Sequence, residues 1–365
     1  MKLKRYGAPL AILAAAAISL TACASNEGGS TASTTSKAPS NLSGTLNGIG
    51  SSAQGTAQTT WIAGFQTDNP KVTINYDPQG SGAGRTSFIS GAADFAGSDA
   101  YLKDTELAMD FKGCAAGTKG IDLPVYISPI AIAYNVDGLT DLKLDADTIA
   151  GIFNGSIKTW NDPKIAALNS GATLPSAAIT VVHRSDDSGT TQNFTDYLSQ
   201  NAPTVWTKPV SQTFPYTVGD AAKGTSGVAD ATKNAKNSIT YIDESGSAGL
   251  SIAQLKVGDA FNKISAAGAA DVVAKSPLAT GRPANDLAIA IDRKNTDQGA
   301  WPLVLVSYLL TCQQYSDSAK ADLVKAYASY VVSDAAQQAA AQQAGSAPLA
   351  KDLATKVNTS IATIK

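Results

Sequence analysis

Ile179-Thr180-Val181-Val182-His183 runs directly into Arg184-Ser185-Asp186-Asp187-Ser188-Gly189-Thr190-Thr191-Gln192-Asn193. Ile179 to Val182 reads as a short β-branched strand. A polar turn follows, and then an apolar helix-like run through Phe194, Tyr197 and Leu198. A strand that feeds a helix through a tight polar turn points to α/β architecture. A helix also begins with N–H groups that have no partner inside the helix. With two hydroxyls and a guanidinium beside them, the turn suits a small oxyanion. Ordinary helix capping by Ser188 or Thr190 accounts for the same residues.

Outward from this turn, strands and helices alternate. Val72 to Tyr76 reads as a strand, and a helix is expected over Thr86 to Ser90. Leu123 to Tyr134 and Trp301 to Thr311 read as long apolar strands, Ser238 to Ile242 as a short one. Asp145 suits the N-cap of a helix bearing Ile149, Ile152 and Phe153, with Gly155 at its stop. Leu323, Val324, Tyr327, Tyr330 and Val331 mark one helical face, and the alanine-rich stretch from Ala335 to Lys365 is expected to be helical.

The first residues set the compartment. Lys2, Lys4 and Arg5 precede the apolar run Pro9 to Leu20. That run is shorter than the ~20 residues of a membrane-spanning helix and has the form of a secretory signal. Leu20-Thr21-Ala22-Cys23 resembles a bacterial lipobox. The resemblance implies a signal over 1–22, acylation of Cys23 (palmitate among the acyl chains) and anchoring at the outer face of the cytoplasmic membrane. Ala24 to Asn41 is Ser-, Thr- and Gly-rich, so 23–41 is expected to be a flexible tether. About 320 residues remain, enough for more than one domain.

Without the signal, 25 basic residues face 30 acidic ones, a net charge of −5. No basic stripe exists, which excludes nucleic acid as a partner. Two cysteines are left, Cys114 and Cys312, and in a secreted chain they are expected to pair. One histidine and no close Cys/His cluster speak against a metal or other cofactor. That histidine, His183, reads as a structural residue at a strand end, and no Gly-x-Ser-x-Gly elbow accompanies it.

Two further stretches suit an anion. Gly80-Ser81-Gly82-Ala83-Gly84 allows close backbone approach ahead of a helix N-terminus, although a flexible turn explains it equally. It is neither a Walker loop nor a full dinucleotide fingerprint. Asp99, after Gly97-Ser98, is an acceptor-only group once ionised. Beside an anion it makes sense where the anion carries a proton; a turn cap is the plainer reading.

In this order, the segments resemble the phosphate-binding proteins of ABC-type phosphate importers. The resemblance rests on Gly80–Gly84, on Ala93-Asp94-Phe95-Ala96-Gly97-Ser98-Asp99, on Thr148 to Pro163, on Arg184 to Thr190, and on Gly224-Thr225-Ser226-Gly227-Val228 with Ile239-Thr240-Tyr241-Ile242. It implies a class II periplasmic-binding-protein fold: two α/β lobes, each a mixed sheet flanked by helices, joined by two crossing strands near Asn135 and Ser307. Lobe one would comprise 42–134 and 306–365, lobe two 135–305. It implies phosphate ligands at Ser52, Ser81, Asp99, Arg184, Ser188, Gly189 and Thr190, with Asp186 holding Arg184. Gly48-Ile49-Gly50-Ser51-Ser52-Ala53 stands where the family has Gly-x-Gly-x-Thr-Phe; Ser52 supplies the hydroxyl and Ala53 departs from the aromatic. Inorganic phosphate and membrane permease subunits are the implied partners of a monomeric receptor. A secreted phosphate-ester hydrolase and a binding protein for another oxyanion are the alternatives.

Overall fold

In the computed structural model, residues 41–365 are described. The signal, Cys23 and all of the expected tether but Asn41 lie outside the described residues. The chain opens with β1 (Gly44–Gly50), α1 (Gly55–Asp68), β2 (Val72–Asp77), α2 (Ser81–Ile89), β3 (Phe95–Ser98), α3 (Asp104–Leu107) and the long β4 (Gly120–Asn135). The middle holds β5 (Lys143–Leu144), α4 (Ala146–Phe153), α5 (Pro163–Leu168), β6 (Thr180–Arg184), α6 (Gly189–Asn201), β7 (Asp220–Ala222), α7 (Gly224–Asn234), β8 (Ser238–Asp243), β9 (Ser251–Ile252), β10 (Gln254–Val257), β11 (Ala260–Asn262) and α8 (Ala266–Lys275). It returns through β12 (Val304–Cys312) to α9 (Ser318–Val331), α10 (Asp334–Ala344) and α11 (Lys351–Ala362).

The main sheet runs β2-β1-β3-β12-β4-β8-β6-β7, with β9 also on β4. β1 lies parallel to β2 and β3, while β6 lies parallel to β8 and β7. β4 joins the two groups. Its residues Gly120 to Pro129 pair with β12, and Ile130 to Asn135 pair with β8. All but its last residue are buried, as its near-continuous apolar run requires of a strand covered on both faces. One strand therefore belongs to two half-sheets.

Local signals explain the helix ends. The Asp145 carboxylate accepts from Thr148 N at 2.8 Å, and Gly155 past the end of α4 takes φ +81°. The expected helix over Thr86 to Ser90 begins earlier, at Ser81, because Gly80 (φ +106°) turns the chain out of β2. Its first turn therefore contains Ser81. The alanine-rich terminus is helical, as two helices. Gly345 (φ +67°) ends α10, and the chain crosses Ile127, whose carbonyl accepts from Ala347 N at 2.8 Å, before α11 starts. The three-stranded sheet β11-β10-β5 has strands of two to four residues and no clear sequence pattern.

Cys114 and Cys312 form a disulfide, with Cα atoms 5.3 Å apart, tying the approach to β4 to the end of β12. The segment around Arg282, inside the range expected for lobe two, packs on the first half-sheet. Arg282 donates to the carboxylates of Asp122 (3.3 Å) and Asp286 (3.0 Å) and to the carbonyl of Leu102. No described helix is long and apolar enough to cross a membrane.

Candidate functional site

The carboxyl ends of β1, β3 and β6 point into one cleft, where ligands of open α/β sheets bind. β1 delivers Ser51 and Ser52, β3 delivers Asp99, and β6 delivers Arg184 and the turn into α6. The start of α2 brings Ser81. Gly50 adopts φ +150° and passes Gly97 so closely that a Cβ would lie 2.0 Å from its carbonyl oxygen. Gly84 likewise lets α2 settle on Gly50.

Asp99 is the centre. Its carboxylate is buried, and Oδ1 accepts from the hydroxyls of Ser51 and Ser307, the latter at 2.7 Å. Oδ2 accepts from Thr190 Oγ1 at 3.2 Å, across from the second half-sheet. Its N–H donates to Ser81 Oγ at 3.1 Å, which leaves the Ser81 proton free to donate. Its carbonyl accepts from Asn193 Nδ2 at 2.7 Å. Burial pushes the Asp99 carboxyl above the usual carboxylate range, and the hydroxyls of Ser51 and Ser307, the Arg184 charge and Thr190 pull it back.

Arg184 is held by a fork to Asp186, Nε to Oδ1 at 2.7 Å and Nη2 to Oδ2 at 2.5 Å. Its Nη1 makes no hydrogen bond among the described residues and remains available. Burial alone would raise the Asp186 carboxyl. The hydrogen bonds and charge of Arg184 and the Gly224 N–H outweigh it and hold the carboxyl below the usual range. The guanidinium is thus fixed in place before any anion arrives.

Ser188 accepts from Thr191 N at 3.1 Å and is the N-cap of α6, so the capping reading of that serine holds in the structure. The cap also sets the direction of the first-turn N–H groups at Gly189 and Thr190, which have no carbonyl inside the helix. Gly189 packs on the opposite half: a Cβ there would stand 2.6 Å from both Asp99 Cβ and Ser81 Oγ. Gly189→Ala is expected to hold the halves apart and weaken anion binding about tenfold, the equivalent of one lost charge-assisted hydrogen bond. Titration calorimetry checks this; unchanged affinity contradicts the packing.

The structure thus brings Ser81, Asp99, Arg184, Gly189 and Thr190 together and places Asp186 behind Arg184. Ser52 is not on Asp99. Its hydroxyl meets Thr225, Oγ to Oγ1 at 3.1 Å, and accepts from Thr225 N at 3.0 Å, closing the cleft at its other side. Neither Ser51 nor Ser307 was legible as a partner of Asp99. The signal for Ser307 was a small hydroxyl in the middle of a mainly apolar, buried strand, where such a group usually has a partner. Arg85, which donates to Glu106 at 2.9 Å and to Gln212 Oε1 at 2.6 Å, is a further contact between the halves. His183 stacks on Phe214 at 4.1 Å and its Nδ1 lies 2.9 Å from the Arg184 carbonyl oxygen, a structural placement.

Two half-sheets that share a strand and face each other across convergent anion donors define a two-lobed substrate-binding protein of the class II type. The family model for the PBP superfamily domain matches residues 32–335. Phosphate-binding protein PstS 3 of Mycobacterium leprae (strain TN) is 38% identical over 336 residues, 90% of each chain. The chain belongs to the PstS family of phosphate-binding proteins. PstS3 of Mycobacterium bovis (strain BCG / Pasteur 1173P2) is 36% identical over 377 aligned positions, covering 99% of both. The fold matches a high-affinity periplasmic phosphate-binding protein, PfluDING, solved with bound phosphate (TM-score 0.69, 21% identity, 87% of this chain and 93% of that one). It also matches a human phosphate binding apolipoprotein (TM-score 0.66, 23% identity, 86% and 93%).

Proposed function

We propose that the protein binds inorganic phosphate in this cleft and delivers it to the permease subunits of an ABC-type importer, as a binding protein and not an enzyme. The observation that carries the reading is a buried, acceptor-only carboxylate, Asp99, set among anion donors. Arg184 Nη1, the hydroxyls of Ser81 and Ser188, and the N–H groups of Gly189 and Thr190 donate to the anion, while the Thr190 hydroxyl gives its proton to Asp99 Oδ2. Asp99 Oδ2 has a second lone pair beyond its bond to Thr190 and accepts the proton of a protonated phosphate. Sulfate has no proton to offer and meets a repelling charge. Ser52 contributes at the edge of the cleft through its link to Thr225.

On this reading 42–134 with 306–365 form one lobe, joined by the segment around Arg282 that packs on it, and the rest of 135–305 forms the other; the two close on the ligand, flexing where β4 changes partner. Acylation at Cys23 would hold a monomeric receptor at the outer face of the cytoplasmic membrane. The hydrolase alternative is disfavoured by His183, whose Nδ1 faces its neighbour's carbonyl. Among the described residues no three His, Cys, Asp or Glu side chains are grouped to hold a metal.

The test is a thermal-shift series with both anions. Phosphate is expected to raise the melting temperature and sulfate to leave it unchanged, since only a ligand of the native state stabilises it. Asp99→Asn supplies a donor and removes the repulsion, so its preference for phosphate over sulfate should fall. Equal stabilisation of the unaltered protein by the two anions would end the role given to Asp99.

A further inference from the structure

Behind Asp99 lies a line of buried polar side chains. Tyr327 OH donates to Gln58 Oε1 at 2.6 Å. Gln58 Nε2 donates to Gln54 Oε1 at 2.8 Å. Gln54 Nε2 donates to Ser307 Oγ at 2.9 Å, and Ser307 Oγ donates to Asp99 Oδ1 at 2.7 Å. All of these side chains are buried.

The direction of the line is fixed at one point. Gln54 Nε2 also donates to the backbone carbonyl of Tyr308 at 3.2 Å. A carbonyl can only accept, so this end of the amide is the NH2. Ser307 Oγ therefore receives a hydrogen bond from Gln54, and its single proton goes to Asp99. The pairing of β12 with β4 shifts register between Ser307 and Tyr308, where Val125 of β4 has no partner residue. Ser51 is fixed in the same sense. Its Oγ accepts from the N–H of Ala53 (3.1 Å) and of Gln54 (3.3 Å), and its proton also goes to Asp99 Oδ1.

We propose that Ser307 and Ser51 are specificity-determining positioning residues: held as donors, they keep Asp99 an ionised acceptor with Oδ2 turned to the anion. The proposal rests on the phosphate reading. Its chemistry is simple. A protonated Asp99 would donate to sulfate and lose the power to exclude it. Two forced donors on one oxygen favour the ionised form against the burial that opposes it. The charged and titratable groups facing Asp99 are Arg184 from β6, which also favours ionisation, Asp243 at the end of β8, and Tyr76 on β2. Neither serine alters these. The two serines therefore set the acid limit of sulfate exclusion.

The experiment is phosphate titration, with sulfate as competitor, from about pH 5 to pH 8, around and above the ordinary carboxylate range. It compares the unaltered protein with Ser307→Ala and Ser307→Thr. Ser307→Ala should retain phosphate binding at the upper end. At the lower end it should take sulfate about tenfold more tightly than the unaltered protein, the equivalent of one hydrogen bond to a charged group. Ser307→Thr keeps the hydroxyl and should restore the original profile. Ser51→Ala should move the profile the same way and serves if Ser307→Ala does not fold. A merely structural role would weaken both anions alike at every pH. Sulfate profiles that superimpose, with phosphate still bound and sulfate still excluded by the unaltered protein, overturn this proposal alone. Absence of phosphate binding by the unaltered protein overturns both readings.

Discussion

Arg184→Ala is expected to weaken phosphate binding by more than about tenfold, since a hydrogen bond to a charged group contributes about 1.5–3 kcal/mol. Two effects act together. The cleft loses its fixed cation, and the Asp186 carboxylate that the fork neutralised is left facing the anion. The N–H of Gly224, 3.1 Å from Asp186 Oδ1, still holds that carboxylate in place, so its charge stays near the site. Arg184→Lys should recover only part of the loss, because an ammonium cannot engage Asp186 through two parallel bonds. Calorimetric titration of the two variants measures both steps, and an affinity unchanged in Arg184→Ala would remove the arginine from the site.

The second large effect is on stability. The Cys114–Cys312 bridge closes a loop spanning 198 residues. Removing it by Cys114→Ser with Cys312→Ser is expected to cost about 2–5 kcal/mol, mainly by freeing the unfolded chain. Urea unfolding followed by tryptophan fluorescence measures the loss. Phosphate affinity should change little, because the bridge lies at the end of β12 and not at Ser307. A variant as stable as the parent would mean that the unfolded chain gains nothing from losing the link.

The parts of this molecule written in local sequence were legible. The strand into Arg184 and the helix after Ser188, the long buried β4 and the Asp145 cap all follow from short-range patterns, and the cysteine pair from the count of cysteines in a secreted chain. Asp99 was legible as an acceptor out of place among anion donors. The halves of the site that depend on distant partners were not. Ser307 reads as one hydroxyl in an apolar strand, and its acceptor is 208 positions away. The motif puts the threonine-like hydroxyl at Ser52, and the backbone after Gly50 turns Ser51 to Asp99 and Ser52 to Thr225. Gln54 and Gln58, one helical turn apart, show no sequence sign of the line they extend. The break at Gly345 has a local signal, Gly345 and Pro348 inside an alanine-rich run, which the helix propensity of the flanks outweighs in a reading by composition.

The strand order has a consequence for how the chain reaches this shape. β3 and β4 are not neighbours; β12 lies between them, and it is made from Val304 to Cys312. The first half-sheet therefore stays in two pieces until some two hundred further residues have been synthesised. Pairings of such long sequence separation form slowly. On the reading that the signal directs export, that delay keeps the chain threadable while its last strand is still missing.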